Sequence, residues 1–154
     1  EGGDDYWAMA KLVDLPGKLP DGFAIQAELC GPGIQGNKAG LSTKQLFVFN
    51  VWDIKERKYL DWDAGRVFAE RVLGVKHVPL VWQGLGVNVN CTTHFEGPIK
   101  MYQWLDYADT IRYPNGTQCE GIVIRAAQEA YSNALRGRLS FKVISNAFLL
   151  KTGE

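Results

Sequence analysis

A chain of 154 residues with 17 Lys and Arg against 17 Asp and Glu carries no net charge, so bulk electrostatics does not draw it to nucleic acid or to an anionic membrane; any polyanion has to meet a local patch. An apolar fraction of 46% beside a charged fraction of 22% excludes a disordered chain and suits one soluble domain with a real core. Cys30, Cys91 and Cys119 form an odd set without metal-type spacing, and neither a signal peptide nor a membrane-length apolar run accompanies them, so a reducing, cytoplasmic setting and no membrane partner are expected.

In chain order, Tyr6-Trp7-Ala8-Met9-Ala10 is a short apolar segment, and a loop punctuated by Pro and Gly runs from Asp14 to Gly22. The first clear strand covers residues 23–29, with Phe23, Ile25, Ala27 and Leu29 on one face and Gln26 and Glu28 on the other. Glu28 therefore leaves the core side and can face a cleft. Gly31 and Gly33 around Pro32 give the following turn positive dihedrals and allow a ligand close to the backbone, and Gln35 and Asn37 add amide side chains. Taken alone, this segment reads as a turn. Residues 45–54 are rich in aromatic and β-branched side chains and read as a central strand buried on two sides, turning at residues 55–58 into a return strand at Tyr59-Leu60.

Val67, Phe68, Val72 and Leu73 recur at helical spacing within residues 63–75, with Asp61 or Asp63 placed to cap the start and Gly74 to end it. A short strand is expected at residues 78–82. A helix is expected over residues 97–108, with Pro98 in its first turn and Met101, Trp104 and Leu105 as its apolar stripe. Asn115-Gly116 reads as a turn; Asn90-Cys91-Thr92 and Asn115-Gly116-Thr117 match a glycosylation pattern that carries no weight without secretion. Strands at residues 120–125 and 139–145 close the chain. The whole reads as a single mixed domain of mainly antiparallel strands with one to three helices. His77 and His94 lack the partners for a hydrolase triad or a metal site.

Four segments now stand in order: Glu28-Leu29-Cys30-Gly31-Pro32-Gly33-Ile34-Gln35, Phe47-Val48-Phe49-Asn50, Glu120-Gly121-Ile122-Val123-Ile124-Arg125 and Phe141-Lys142-Val143-Ile144-Ser145-Asn146. This order resembles the nucleotidyltransferase domain of covalent nucleotide-dependent ligases, and more narrowly the nick-sealing RNA ligases of the phage RNA ligase 2 type. The resemblance extends from Phe23 to Leu150. It implies an α+β fold of mixed, mainly antiparallel sheets with a few flanking helices. It also implies ATP as cosubstrate, AMP carried covalently, a Mg or Mn ion, and RNA ends in a nicked duplex as substrate, with a monomer expected.

By the same resemblance, Glu28 would hold the ribose hydroxyls, a task that suits a pure acceptor, and Phe49 would stack on adenine. Glu120 would help bind the metal as a hard oxygen ligand, and Lys142 would steady charge on the α-phosphate. Read from the residues themselves, Arg125, Arg136, Arg138 and Lys142 form the basic cluster of the last third, near which the RNA phosphates are expected, and Gln35 and Asn37 are further expected RNA contacts. Plain structural alternatives are a solvated strand-end glutamate, a core phenylalanine, a charged residue closing a turn, a snorkelling lysine and scattered solvated arginines.

The family's reaction starts at the lysine of a Lys-x-Asp-Gly motif, and these 154 residues hold none: Lys18-Leu19-Pro20-Asp21-Gly22 has one residue too many, and Lys11-Leu12-Val13-Asp14 lacks the glycine and the spacing. Asn50 stands where the phage enzymes carry an aspartate, and Ile144 where they carry a second lysine. The expectation is the larger part of an adenylation domain whose nucleophile-bearing segment lies before Glu1 or was removed, unable to charge itself. A degenerate relative that only binds nucleotide or RNA is the alternative.

Overall fold

The computed structural model describes residues 3–81 and 101–152, and they fall into two compact units where the sequence distinguishes none: residues 1–78 with 126–139, and residues 79–125 with 140–154. Trp82, the Asn90-Cys91-Thr92 tripeptide, His94 and the expected start of a helix at residues 97–100 lie outside the described residues. No helix among the described residues is long and apolar enough to cross a membrane.

In the first unit, β1 (Phe23–Cys30) pairs antiparallel with β2 (Gln45–Asp53). β1 alternates as expected: Gln26 and Glu28 are exposed, while Ile25, Ala27 and Leu29 turn inward. β2 is central, since β3 (Lys58–Tyr59) pairs with its far end and β4 (Lys76–His77) runs parallel to Phe47 and Val48. Only one of its faces is fully buried, through Leu46, Val48 and Val51; Phe47, Phe49, Asn50 and Trp52 opposite are partly exposed.

The inner face is covered by α1 (Gly3–Leu12), α2 (Leu15–Lys18) and α3 (Trp62–Val67), which continues as π-helical turns over Phe68–Leu73. Met9 packs on Leu29 and Leu46, while Ala69 and Leu73 meet Val48 and Val51. Burial of such side chains, about 1.5–3 kcal/mol each, holds these short elements where propensity alone would not. Gly74 ends the π-helical turns in the left-handed region at φ 68, as its place in the sequence suggests.

The strand expected at residues 78–82 sits two residues earlier, at β4. Val78 still donates to the Val48 carbonyl at 2.9 Å, but Pro79 has no N–H with which to extend the ladder. Residues 126–139 return to the first unit as a hairpin of β6 (Tyr131–Ser132) and β7 (Gly137–Arg138), with Arg136 in the left-handed region at φ 48.

In the second unit β5 (Gly121–Arg125) pairs antiparallel with β8 (Ser140–Ile144), and α4 (Met101–Thr110) packs Ala108 onto Ile122 and Val143. α5 (Asn146–Thr152) follows, its first turn capped by the Ser145 hydroxyl, which accepts from Phe148 N–H at 3.1 Å. With α1, α2 and α5 the chain holds more helix than the one to three elements expected, because those three are short and are fixed by packing and capping.

Candidate functional site

Glu28 is exposed on the outer face of β1, directly across from Phe47 on β2. Cys30 is two residues along on the same face, and burial followed by the Glu28 carboxylate pushes its thiol pKa up, which disfavours the thiolate. Lys76 on β4 lies over the Phe47 ring, 5.8 Å from its centroid, and donates to the Gln45 side-chain oxygen at 2.6 Å. A carboxylate, an aromatic ring and a cation thus share one side of the sheet while the other side is core.

The segment after β1 is shaped by backbone rather than by side chains. Gly31 (φ 134), Gly33 (φ 81), Gln35 (φ 44), Gly36 (φ 68) and Asn37 (φ 49) all take positive φ. At Gly31 a Cβ would lie 2.6 Å from the Thr43 carbonyl oxygen, so only glycine fits. Asn37 closes the loop on itself: its amide nitrogen donates to the Leu41 carbonyl at 2.9 Å and its oxygen accepts from Leu41 N–H at 3.0 Å. That side chain shapes the loop, whereas Gln35 is exposed.

Phe49 occupies a β-bulge. Gln26 pairs with Asn50 and Ala27 with Val48, leaving Phe49 as the extra residue of β2. Since Val48 and Val51 are both buried three positions apart, the bulge puts Phe49 and Asn50 on the opposite side from the core. Asn50 is bound at both ends. Its amide nitrogen donates to the Gln26 side-chain oxygen at 2.6 Å and its oxygen accepts from Arg138 Nη1 at 2.6 Å, an orientation set by the guanidinium, which can only donate.

Arg138 also forms a forked ion pair with Glu129, with Nε donating at 3.0 and 2.7 Å and Nη2 completing the fork, and its guanidinium lies 4.2 Å from the Tyr59 ring centroid. The sequence reads it as an RNA contact or a solvated arginine; in the structure it links the β6–β7 hairpin to β2. Arg136 beside it is exposed. Glu129 and Phe47 were missed from the sequence; the alternation of β2 against β1 could have pointed to Phe47, but no local signal marks Glu129.

In the second unit Lys142 and Ile144 are exposed on β8, opposite the core residue Val143, as the alternation predicts. Lys142 pairs across the sheet with Val123 and forms an ion pair with Glu120. Gly121 sits between Glu120 and the sheet core; a Cβ there would lie 2.0 Å from the Val143 carbonyl oxygen. Arg125 ends β5 opposite Ser140 and is half-buried. Behind this pair, the buried Ser145 hydroxyl donates to Asp109 at 2.7 Å and accepts from the Gln118 amide at 3.2 Å. The Ser145 bond, with the Ala147 and Asn146 backbone, holds the Asp109 carboxyl below its ordinary pKa against the opposing effect of desolvation. Burial raises Cys119, with Arg112 opposing.

No three His, Cys, Asp or Glu side chains gather as a metal cage among the described residues. Glu120 offers one half-exposed carboxylate. That suits a magnesium or manganese ion that keeps most of its waters and takes its other ligands from phosphates, and not a dedicated protein cage.

A family model described as RNA ligase matches residues 2–144. Among solved structures, the chain is similar to the Naegleria gruberi RNA ligase with PPi, at TM-score 0.71 and 27% identity over 96% of this chain and 40% of that one. A point variant of the same enzyme with ATP and Mn gives TM-score 0.73 at 26% identity over 96% of this chain and 41% of that one. Another variant, with AMP and Mn, gives 0.71 at 26% identity over 94% and 40%. The chain therefore spans about two fifths of the length of these relatives. No curated protein sequence matches it. The α+β arrangement of mixed sheets and flanking helices is that of the ligase nucleotidyltransferase domain.

Proposed function

Because the chain belongs to the RNA ligase family, we propose that it is the nucleotide-holding part of an ATP-dependent RNA ligase adenylation domain of the phage RNA ligase 2 type, acting in the cytoplasm. The observation that carries this reading is Glu28, exposed on the polar face of an otherwise core-facing strand and followed at once by a loop of left-handed residues. There it accepts hydrogen bonds from both ribose hydroxyls, and Phe49 on the outer side of β2 stacks on the base, a contact worth about 1–3 kcal/mol.

In the second unit the Glu120–Lys142 ion pair keeps a carboxylate and an ammonium together on one exposed strand face. In this reading Lys142 exchanges Glu120 for the α-phosphate, and Glu120 would hold the metal. When bound there, the metal would supply Lewis-acid stabilisation of the phosphate oxygens. A lysine amine attacks the α-phosphorus of ATP and pyrophosphate leaves; AMP passes from that lysine to the RNA 5′-phosphate; the 3′-hydroxyl then displaces AMP. The attacking amine is assigned to a residue outside these 154, which hold no Lys-x-Asp-Gly. Nicked duplex RNA is the proposed substrate, with Gln35, Arg125 and Arg136 as its contacts. The ATP, AMP, PPi and Mn named with the Naegleria structures support the same ligands here.

Calorimetric titration of the chain with AMP in the presence of Mn tests the reading. Glu28→Ala should weaken binding at least tenfold; unchanged affinity would reject the site. The missing motif also supports a module that binds nucleotide or RNA without catalysis. A longer parent protein that becomes labelled by ATP and seals a nicked RNA duplex decides for the enzyme, and one that binds AMP without becoming labelled decides for the module.

A further inference from the structure

We propose that Arg138 is a positioning residue for the base-stacking ring: through Asn50 it fixes the bulge that turns Phe49 away from the core. The proposal rests on the adenylate reading above. A bulge places one extra residue between two ladder pairs, and here it is Phe49, so the direction of its ring depends on how the bulge is held. The neighbour holds it. Asn50 is held from both sides by 2.6 Å hydrogen bonds, to Gln26 across the ladder and to Arg138 from the hairpin.

Arg138 has little freedom of its own. Glu129 takes its fork, the Tyr59 ring lies against its flat face, and the ion pair is about four-fifths buried on both sides. Glu129 is held in turn, because its backbone N–H donates to Asp61 Oδ1 at 2.7 Å. A rigid line of contacts therefore runs from the start of α3 through the hairpin to the residue beside Phe49. The same line gives a physical reason for asparagine at position 50. Glu129 already supplies the countercharge to Arg138, and an amide can accept from the arginine while donating to Gln26.

The test compares AMP with ribose 5-phosphate, which lacks the base, as ligands of the 154-residue chain. Wild type should prefer AMP by about tenfold or more, the range expected of a stacked base. Phe49→Ala should collapse that preference. Arg138→Gln and Asn50→Ala should collapse it to the same level, and Arg138→Gln combined with Phe49→Ala should be no worse than Phe49→Ala alone. Asn50→Asp, which still accepts from Arg138, should restore it.

If Arg138→Gln does not fold, Asn50→Ala keeps the test, since it leaves the Glu129–Arg138 pair intact. Without any ligand, the Phe49 ring resonance in a phenylalanine-labelled sample, identified by its loss in Phe49→Ala, should shift or broaden in Asn50→Ala. Retained AMP preference in both Arg138→Gln and Asn50→Ala, additive losses in the double variant, or a stationary ring resonance overturns the positioning role and leaves the adenylate reading standing. A wild-type chain that does not bind AMP, or a Phe49→Ala chain with undiminished preference, overturns both.

Discussion

At the scale of single residues, the glycine of Glu120-Gly121-Ile122-Val123 is explained by space. A methyl group there would overlap the Val143 carbonyl at 2.0 Å, and the obstacle is backbone, which cannot swing aside. Gly121→Ala should destabilise the β5–β8 pair by on the order of 3 kcal/mol or more, read as a lowered urea midpoint. Asp109 gives a second residue-scale prediction. Its folded-state pKa is depressed, chiefly by the Ser145 hydrogen bond, so it stabilises the fold above the ordinary aspartate value of about 3.9 and that stabilisation is lost as pH falls through the folded value. Asp109→Asn should therefore be less stable than wild type at neutral pH, and the difference should shrink on acidification below about pH 4. Thermal melts across pH would show the two curves converging, and a constant gap would contradict the assignment.

At the scale of elements, Asp61 is expected from its position to cap α3, and it stands at that N-cap, but no side-chain cap bond forms. Its carboxylate instead accepts from Glu129 N–H, and Trp62 N–H donates to the Ala127 carbonyl at 3.0 Å, so the start of α3 anchors the returning hairpin. Asp61→Ala should loosen the hairpin more than the helix. Loss of a hydrogen bond worth about 1 kcal/mol should speed amide exchange at residues 129–139 about fivefold while α3 stays protected. The strands were legible because burial on one side imposes a period of two, which is why Glu28 and Lys142 were correctly read as outward-facing. The β6–β7 hairpin was not, since two-residue strands with a four-residue connection leave no period to detect.

At the scale of the whole molecule, the absence of net charge has a local counterpart. Of the basic residues grouped in the last third of the sequence, Arg138 is neutralised by Glu129 and Lys142 by Glu120. In the proposed function, a phosphate at Lys142 would take the place of Glu120, which favours a ligand that brings a metal for that carboxylate. Incubated with labelled ATP and Mn and then denatured, the chain should carry no label, and a band at its mass would refute the assignment of the attacking amine outside it. By itself the sequence determined the α+β class, the family and the outward faces of β1 and β8, because alternation and short ordered motifs are local properties of a chain. Only the tertiary structure decided that Asn37 clasps its own loop, that Phe49 lies on a bulge and that Arg138 is spent on Glu129 and Asn50. Each of those depends on a partner's position in space, and Asn50 and Arg138 meet across 88 residues of chain that no local pattern spans.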